Sequence, residues 1–144
     1  TTGNTITARP SNLTAAQIDC ADIPDLVPIL AVAASSAQGA TIFDNIRRLR
    51  IKESDRVQSI LQLLGMAGIY AFASDNTLTV TGGPAKNCSY DPSGDHRMAM
   101  AFEPAAMVLG SIDINHPEVV SKSYPRFWND LKQVGFEIVE SQRS

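Results

Sequence analysis

An internal repeat constrains the fold of this 144-residue chain more than any other feature. Asp25 and Asp95 each open a long apolar segment, and these two residues lie 70 positions apart. Lys52 and Lys122 each precede an amphipathic segment and are separated by the same 70 positions. From the lysines onward the two copies align without a gap, so the chain is expected to contain two related structural units.

Each unit is predicted to contain a buried helix, a strand, a basic loop, an amphipathic helix and a further strand. The first buried helix is predicted over 25–37, because Pro24 precedes it, Gly39 follows it and nearly every residue between is apolar. The second is predicted over 95–109, with a kink at Pro104 and a glycine after its end.

The two amphipathic helices are predicted from the spacing of their apolar residues. One begins near Glu53 and ends at Gly65 and Gly68, and the other ends at Gly135. The residues predicted to face inward are Val57, Ile60, Leu61 and Leu64 in the first helix, and Phe127, Trp128, Leu131 and Val134 in the second. Strands are predicted over 4–8, 16–21, 41–46, 69–73, 77–81, 111–115 and 136–139, with a hairpin turn at 75–76.

These elements predict an α/β (α+β) fold of repeated units with one buried helix in each. We expect a single domain over 1–144, in which a leading strand region is followed by units over about 20–90 and 91–144. A composition that is 44% hydrophobic and 19% charged supports a globular domain with a substantial core.

Charge and hydropathy argue against several function classes. The net charge of -3 disfavours a general nucleic-acid surface, and no apolar run approaches the roughly 18 residues of a membrane span. Cys20 and Cys88 lack the spacing of a metal or redox site, so both are expected to be free thiols. The sequence begins at Thr1, and a piece of a longer protein is one interpretation of that start.

Both buried helices begin at an aspartate, which has two interpretations. Aspartate is a favourable N-cap residue, so Asp25 and Asp95 can simply stabilise their helices. If the repeated units pack alike, however, the helix N-termini converge and form a site for anions. Cations that would strengthen such a site are close in sequence, namely Lys52, Arg56, Arg97 and Lys122.

The most densely charged segment is 47–56 (RRLRIKESDR), which contains five cations and two acids. It is interpreted as a solvated loop and helix start, as a nucleic-acid patch, or as a site for a multiply anionic small molecule. No aromatic residues are interleaved with its charges, which makes the nucleic-acid interpretation the weakest. A charged segment of this kind is usually a solvated loop. The small-molecule site is the only one of the three interpretations that predicts a chemical function.

Four motifs resemble the 5-enolpyruvylshikimate-3-phosphate (EPSP) synthase family. They are LRIKESDR over 49–56, DHRMAMAF over 95–102, KSYPRFW over 122–128 and DIPDL over 22–26. The motifs occur in the family's order and at its approximate spacing, and the KESDR and DHRMAM pair is highly specific. The resemblance covers essentially the whole chain, but only about the C-terminal third of the family's length.

The resemblance implies the enolpyruvyl transferase fold, in which each of two domains is an α/β prism of three repeated units around buried central helices. The family transfers the carboxyvinyl group of phosphoenolpyruvate to the 5-hydroxyl of shikimate 3-phosphate and releases phosphate. This step belongs to the shikimate pathway, which leads to chorismate and the aromatic amino acids. The resemblance also implies no cofactor or metal, no nucleic-acid or membrane partner, a cytoplasmic location and a monomer at full length.

The resemblance assigns a role to each matched residue. Asp25 would accept the proton of the 5-hydroxyl, and Glu53 would donate a proton to the vinyl carbon. Asp25 and Lys52 would bind shikimate 3-phosphate. The residues implied to bind phosphoenolpyruvate are Arg56, Arg97 and Lys122.

Other charged residues near these motifs have less definite roles. Asp95 and His96 lie at the N-terminus of the second buried helix and are further candidates, with His96 acting in the cleft or orienting its neighbours. His116 is expected to be incidental. Arg126 is expected to face solvent, although the repeat aligns it with Arg56.

Several of the family's motifs are absent from this sequence: its N-terminal Lys-Ser pair, its Gly-rich phosphoenolpyruvate loop and a further arginine of its other domain. One hypothesis is therefore a fragment of EPSP synthase that supplies about half of a site and is inactive alone. The alternatives are a free-standing anion-binding module and a structural domain without a ligand. In a fragment, repulsion among the site cations is expected to be relieved only by solvent and bulk ions.

Overall fold

The computed structural model describes residues 3–7, 9–102 and 105–140. Its α-helices are α1 (Val27–Ala34), α2 (Arg56–Met66), α3 (His96–Phe102), α4 (Ala106–Leu109) and α5 (Phe127–Gln133). Its strands are β1 (Gln17–Asp19), β2 (Ala40–Asp44), β3 (Ala71–Ala73), β4 (Thr77–Thr81), β5 (Cys88–Tyr90) and β6 (Ile112–Ile114). Short 3-10 helices are formed by Pro24–Leu26, Arg47–Ile51 and Pro117–Lys122.

The strands form two sheets. In the larger sheet the order is β1-β2-β4-β3, with β1 parallel to β2 and the other pairs antiparallel. Strands β3 and β4 form the predicted hairpin, in which Ala71 pairs with Val80. In the smaller sheet β5 and β6 are parallel, and Cys88 lies opposite Ile112. This mixture of helices with parallel and antiparallel strands confirms the predicted α/β class.

The repeat in the sequence is also visible in the structure. In the first unit β1 leads through α1 to the parallel strand β2, and in the second β5 leads through α3 and α4 to the parallel strand β6. Each unit therefore begins with a strand that lies just before the predicted bounds of 20 and 91. A 3-10 helix and an amphipathic helix follow in each case, α2 in the first unit and α5 in the second. The sequence does not predict β5, because its three residues lie between two turn-forming segments, 82–84 (GGP) and 91–94 (DPSG), and the whole stretch has the composition of a loop.

Helix α1 is buried because its sequence offers no polar face. Pro24 and Pro28 lie in first turns, where a missing N–H group costs no hydrogen bond, and no residue of α1 is exposed. The helix ends at Ala34, short of the predicted limit at residue 37. There the hydroxyl of Ser35 donates to the carbonyl oxygen of Val32 at 2.7 Å. The backbone N–H groups of Ser36 and Ala37 each donate to the carbonyl oxygen three residues earlier, instead of four, so the helix ends in tight turns.

Helix α2 begins at Arg56 rather than near Glu53. Its N-cap is Asp55, whose carboxylate accepts a hydrogen bond from the backbone N–H of Gln58 at 3.1 Å. The residues predicted to face inward are buried or half-buried, and they are Val57, Ile60, Leu61 and Leu64. This helix therefore packs one apolar stripe against the core while its N-terminus stays near charged groups.

The main core lies between the larger sheet and helices α1, α2 and α3. Each of these elements contributes buried side chains, among them Val27, Phe43, Ile60, Leu78 and Met98. Helices α1 and α3 pack against each other, as expected for the two buried helices of the repeat. A smaller cluster joins α3 to α5 and to the 3-10 helix before it, through Ala99, Val120 and Phe127.

Two predicted strands are wrong within the described residues. Residues 4–7 form a turn and an isolated bridge, while residue 8 lies outside the described residues. Residues 136–139 have no regular secondary structure. In both cases none of the six described strands lies alongside to supply backbone partners, and without such a ladder an alternating sequence does not form a strand.

Two predictions about the second unit's helices also need correction. The helix predicted over 95–109 is divided into α3 and α4, and the kink predicted at Pro104 lies outside the described residues. Val134 is 74% exposed instead of facing inward, because α5 ends one residue earlier and Val134 lies beyond the smaller cluster. Phe127 is buried and Trp128 is half-buried, so the start of α5 packs as predicted.

Both cysteines are free, as predicted. Burial raises the pKa of the Cys20 thiol to about 11, so this thiol stays protonated and unreactive at neutral pH. Within the described ranges, no helix has the length and apolarity needed to cross a bilayer.

Gly82 is predicted to tolerate no side chain. Its N–H donates to the carbonyl oxygen of Gly39 at 3.0 Å, and a Cβ atom at this position would overlap the carbonyl oxygen of Ala37. We expect Gly82→Ala to lower the free energy of unfolding by about 1–3 kcal/mol, as overpacking usually does, in urea denaturation. Gly83→Ala is the matched control, since a Cβ there meets no atom within 4 Å. Equal losses in both variants would contradict the prediction.

Candidate functional site

The N-termini of the two buried helices meet at one arginine. Asp25 lies in the 3-10 helix that leads into α1, and Asp95 immediately precedes α3. Arg56 donates through Nη1 to Asp25 at 2.7 Å and through Nε to Asp95 at 2.8 Å. The predicted convergence of the two helix N-termini is therefore confirmed.

Arg56 is the first residue of α2 and is only 1% exposed. Besides its contacts with the two aspartates, its Nη2 donates to Glu53 at 2.9 Å. Burial disfavours the charged guanidinium, but hydrogen bonds to Asp95 and Asp25 raise the pKa of Arg56 above its usual value. A buried arginine is tolerated here because three carboxylates surround it.

Asp95 is completely buried, and its carboxylate has several hydrogen-bond donors. It accepts from the backbone N–H of Arg97 at 2.9 Å and of Met98 at 3.4 Å, which makes it the N-cap of α3. It also accepts from the hydroxyl of Ser54 at 2.9 Å. Burial alone would raise the pKa of Asp95, but Arg56 and the other donors hold it below its usual value. The N-cap interpretation of Asp95 is therefore confirmed, and the same carboxylate also pairs with Arg56.

Asp25 lies at the open side of the same cluster, with 42% of its side chain exposed. Its carboxylate is 3.5 Å from Lys52 and 3.3 Å from Arg97, in addition to its contact with Arg56. The hydrogen bond from Arg56 is the main cause that lowers the pKa of Asp25, and Arg97 and Lys52 act in the same direction. Asp25 is therefore an ionised carboxylate at neutral pH.

The rim of the cluster is formed by half-buried and exposed charges. The exposed fractions of the side chains are 25% for Lys52, 38% for Arg97 and 50% for Glu53. Together with Arg56 these residues supply three cations, and Asp25, Asp95 and Glu53 supply three carboxylates. The expectation that only solvent and bulk ions relieve the repulsion among the cations is wrong, because carboxylates are interleaved with them.

Lys122 and His96 border this cluster. Nζ of Lys122 donates to the carbonyl oxygen of Gly94 at 3.1 Å, next to the start of α3. Nδ1 of His96 is buried and has no hydrogen-bond partner among the described residues. The structure therefore brings all the predicted site residues to one place, around the N-termini of α2 and α3.

The remaining charged residues lie elsewhere. Arg126 is 72% exposed and pairs with Asp130 on its own helix, so the prediction that it faces solvent is confirmed. His116 is exposed and 3.3 Å from Glu118. Arg50 donates to the carbonyl oxygen of Ser74 and points away from the cluster, so segment 47–56 does not form a single cationic surface.

Ser54 is a site residue that sequence reasoning missed. It follows Lys52 and Glu53 in the KESDR motif. A single serine within a charged segment gives no sequence pattern that would predict a role in the site. Its hydroxyl joins the loop before α2 to Asp95 at the start of α3. Only the fold brings these two segments together.

The chain has the fold of the enolpyruvyl transferases. It is similar to EPSP synthase from Acinetobacter baumannii, with a TM-score of 0.77 and 30% identity, over 83% of this chain and 29% of that one. It is also similar in fold to an enolpyruvyl transferase from Streptomyces tendae, with a TM-score of 0.66 and 18% identity over 88% of this chain and 29% of that one.

The sequence comparisons narrow this class to one family. The family model of EPSP synthase (3-phosphoshikimate 1-carboxyvinyltransferase) matches residues 1–131. A 3-phosphoshikimate 1-carboxyvinyltransferase from Dehalococcoides mccartyi is 39% identical over 137 residues, which make up 95% of this chain and 33% of that protein. The chain belongs to the EPSP synthase family, and it spans about a third of the length of the curated relatives it matches.

We predict that Arg56 and Asp95 are essential for stability, whereas the repeat-equivalent arginine is not. Arg56→Ala or Asp95→Ala leaves the other charge buried without its partner, which costs about 3–5 kcal/mol. Arg126→Ala is the matched control and should change the free energy of unfolding by less than about 1 kcal/mol, because its pair is exposed. Urea denaturation measures all three, and comparable losses for Arg56→Ala and Arg126→Ala would refute the prediction.

The stability of the fold is also predicted to fall in acid, because Asp95 becomes protonated there. The folded-state pKa of Asp95 lies below its ordinary value of 3.8, so its charged form stabilises the fold above that pH. This contribution is lost as the pH falls from about 4 through the folded-state pKa. In thermal unfolding, Asp95→Asn should therefore lose less stability than the wild type between pH 5 and pH 3. Parallel pH profiles would show that Asp95 contributes nothing to the acid transition.

Proposed function

We propose that this chain supplies one side of an active site that transfers the carboxyvinyl group of phosphoenolpyruvate to the 5-hydroxyl of shikimate 3-phosphate. The observation that carries the proposal is the cluster of Asp25, Lys52, Glu53 and Arg97 around the buried Arg56. Membership of the EPSP synthase family supports it. Because the chain spans about a third of its relatives, the rest of the enzyme would supply the other side of the site.

The cations of the cluster suit the charges of both substrates. Arg97, Arg56 and Lys122 would bind the carboxylate and phosphate of phosphoenolpyruvate, and Lys52 would bind shikimate 3-phosphate. Arginine pairs with planar carboxylates and with phosphates through parallel hydrogen bonds. The outer nitrogens of Arg56 now donate to Asp25 and Glu53, so a bound anion would replace one of these contacts.

Two carboxyl groups of the cluster suit the two proton transfers. Glu53 accepts a hydrogen bond from Arg56 in the free chain, so a bound anion would first have to release it and leave it protonated. It would then donate a proton to the vinyl carbon, which builds positive charge on the adjacent carbon. The 5-hydroxyl attacks that carbon and gives its proton to Asp25, whose low pKa keeps it ionised beforehand. Phosphate then leaves while Glu53 takes a proton back from the new methyl group, which restores the vinyl group, now joined to the former 5-hydroxyl oxygen of the cyclohexene ring. Neighbouring cations would stabilise the charge on the departing phosphate.

The free-standing anion-binding module is less well supported. The chain spans about a third of the length of the curated relatives it matches, so it would hold only one side of an anion. We therefore propose that the chain alone is inactive. A cytoplasmic location and a monomeric complete enzyme are part of the proposal, and the free thiols of both cysteines fit a reducing compartment.

The proposed function is tested by Glu53→Gln in the complete enzyme that contains this chain. The wild type should convert phosphoenolpyruvate and shikimate 3-phosphate to phosphate and the enolpyruvyl product, and the variant should lower kcat by roughly 100-fold or more. Stability should hardly change, since half of the Glu53 side chain is exposed.

Asp55→Asn is the control for this experiment, because it neutralises a nearby carboxylate while asparagine still caps α2. Its kcat should stay near that of the wild type. A Glu53→Gln enzyme that retains most of the wild-type rate would remove Glu53 from the mechanism. Measurable turnover by the 144-residue chain alone would show that the other side of the site is dispensable.

A further inference from the structure

The repeat places equivalent residues in unlike environments. Arg56 and Arg126 are aligned by the repeat, yet the first side chain is 1% exposed and the second 72%. Asp25 and Asp95 are aligned in the same way, with exposed fractions of 42% and 0%. The buried member of each pair comes from a different unit, and these two residues bind each other. Burial of this arginine is therefore not a requirement of the repeated fold.

The carboxylate of Asp95 holds one edge of the Arg56 guanidinium. Its Oδ2 accepts from Nε at 2.8 Å, and its Oδ1 accepts from Nη2 at 3.3 Å. Nη1 is left pointing towards the open rim, where it donates to Asp25 at 2.7 Å. Asp95 itself is fully buried, so it cannot touch a substrate in the cleft.

The same carboxylate also fixes the start of α3. Its Oδ1 accepts from the backbone N–H of Arg97 at 2.9 Å. One buried side chain therefore sets both the orientation of the Arg56 guanidinium and the position of the Arg97 backbone. Two arginines that bind one small anion need such fixed relative positions, because a displacement of about 1 Å can be costly for binding and rate.

We propose that Asp95 is a positioning residue for phosphoenolpyruvate, acting through Arg56 and Arg97 without touching the substrate. The inference rests on the proposed function, which assigns the phosphoenolpyruvate anion to these two arginines. Asp25 and Glu53 are exchangeable counter-ions at the rim, whereas Asp95 stays paired with Arg56 in the empty and the occupied site.

Asp95→Asn in the complete enzyme tests this inference. Asparagine keeps the size and the N-capping oxygen of aspartate but loses the charge that orients Arg56. We expect the KM for phosphoenolpyruvate to rise about tenfold or more, while the KM for shikimate 3-phosphate stays within about threefold. Asp55→Asn, the same substitution at the N-cap of α2, should leave both KM values within about twofold.

A second variant keeps the test valid if Asp95→Asn does not fold. Ser54→Ala removes one hydrogen bond from Asp95 without changing any charge. The KM for phosphoenolpyruvate should rise about two- to fivefold, with the KM for shikimate 3-phosphate unchanged. An unchanged KM for phosphoenolpyruvate in Ser54→Ala and in a folded Asp95→Asn enzyme would overturn the inference.

A double variant separates positioning from a general loss of stability. If Asp95 acts through Arg56, then Asp95→Asn should add little to the KM for phosphoenolpyruvate once Arg56→Gln is present. Equal fold-changes in the wild-type and Arg56→Gln backgrounds would show that Asp95 acts independently of Arg56, and the inference would be wrong.

Calorimetric titration with phosphoenolpyruvate distinguishes failure of this inference from failure of the proposed function. It needs no turnover, so a wild-type enzyme that binds phosphoenolpyruvate without transferring its carboxyvinyl group refutes the transfer alone. Weaker binding by Asp95→Asn then still supports the positioning residue, and equal binding overturns it. A wild-type enzyme that binds no phosphoenolpyruvate overturns both.

Discussion

The buried ion pair between Arg56 and Asp95 is the interaction on which the rest of the structure depends. Removing two charges from water is costly, and the cost is offset only when nearly every polar atom has a partner. That requirement holds the loop before α2 against the start of α3 through the hydroxyl of Ser54. It also joins the two repeated units, since the arginine belongs to one and the aspartate to the other. The position of the site at the starts of α2 and α3 therefore follows from this demand for charge compensation, whereas α1 and α3 pack through apolar side chains such as Val27 and Met98.

The need to compensate charge also explains why the open side of the cluster has no net charge. Three cations and three carboxylates lie within one network, but only Arg56 and Asp95 are buried among the six. Ion pairs at the exposed rim are worth little in water, so their partners can be exchanged at small cost. In the proposed function, a multiply charged anion would displace Asp25 or Glu53 from Arg56 without disturbing the buried pair.

The sequence predicted the features that depend on local pattern or on the repeat. These include the burial of α1, the inward face of α2, the hairpin of β3 and β4, and the convergence of the helix N-termini at Asp25 and Asp95. It did not predict β5, which lies between turn-forming segments and is a strand because β6 pairs with it. It also failed at residues 136–139, where an alternating pattern has no described strand to pair with. The interleaving of carboxylates and cations was missed because it depends on contacts between segments 31 to 41 positions apart.

The difference between Arg56 and Arg126 shows how a repeated fold acquires a site. Both residues stand at the start of an amphipathic helix, and the repeat alone gives no reason for one to be buried and the other 72% exposed. Arg56 is buried because Asp95 from the other unit reaches it, whereas Arg126 finds only Asp130 on its own helix. Loss of symmetry, rather than the repeated unit itself, therefore creates the charged cluster. In a protein built from repeats, equivalent residues with unequal burial are the positions where binding and catalysis should be sought first.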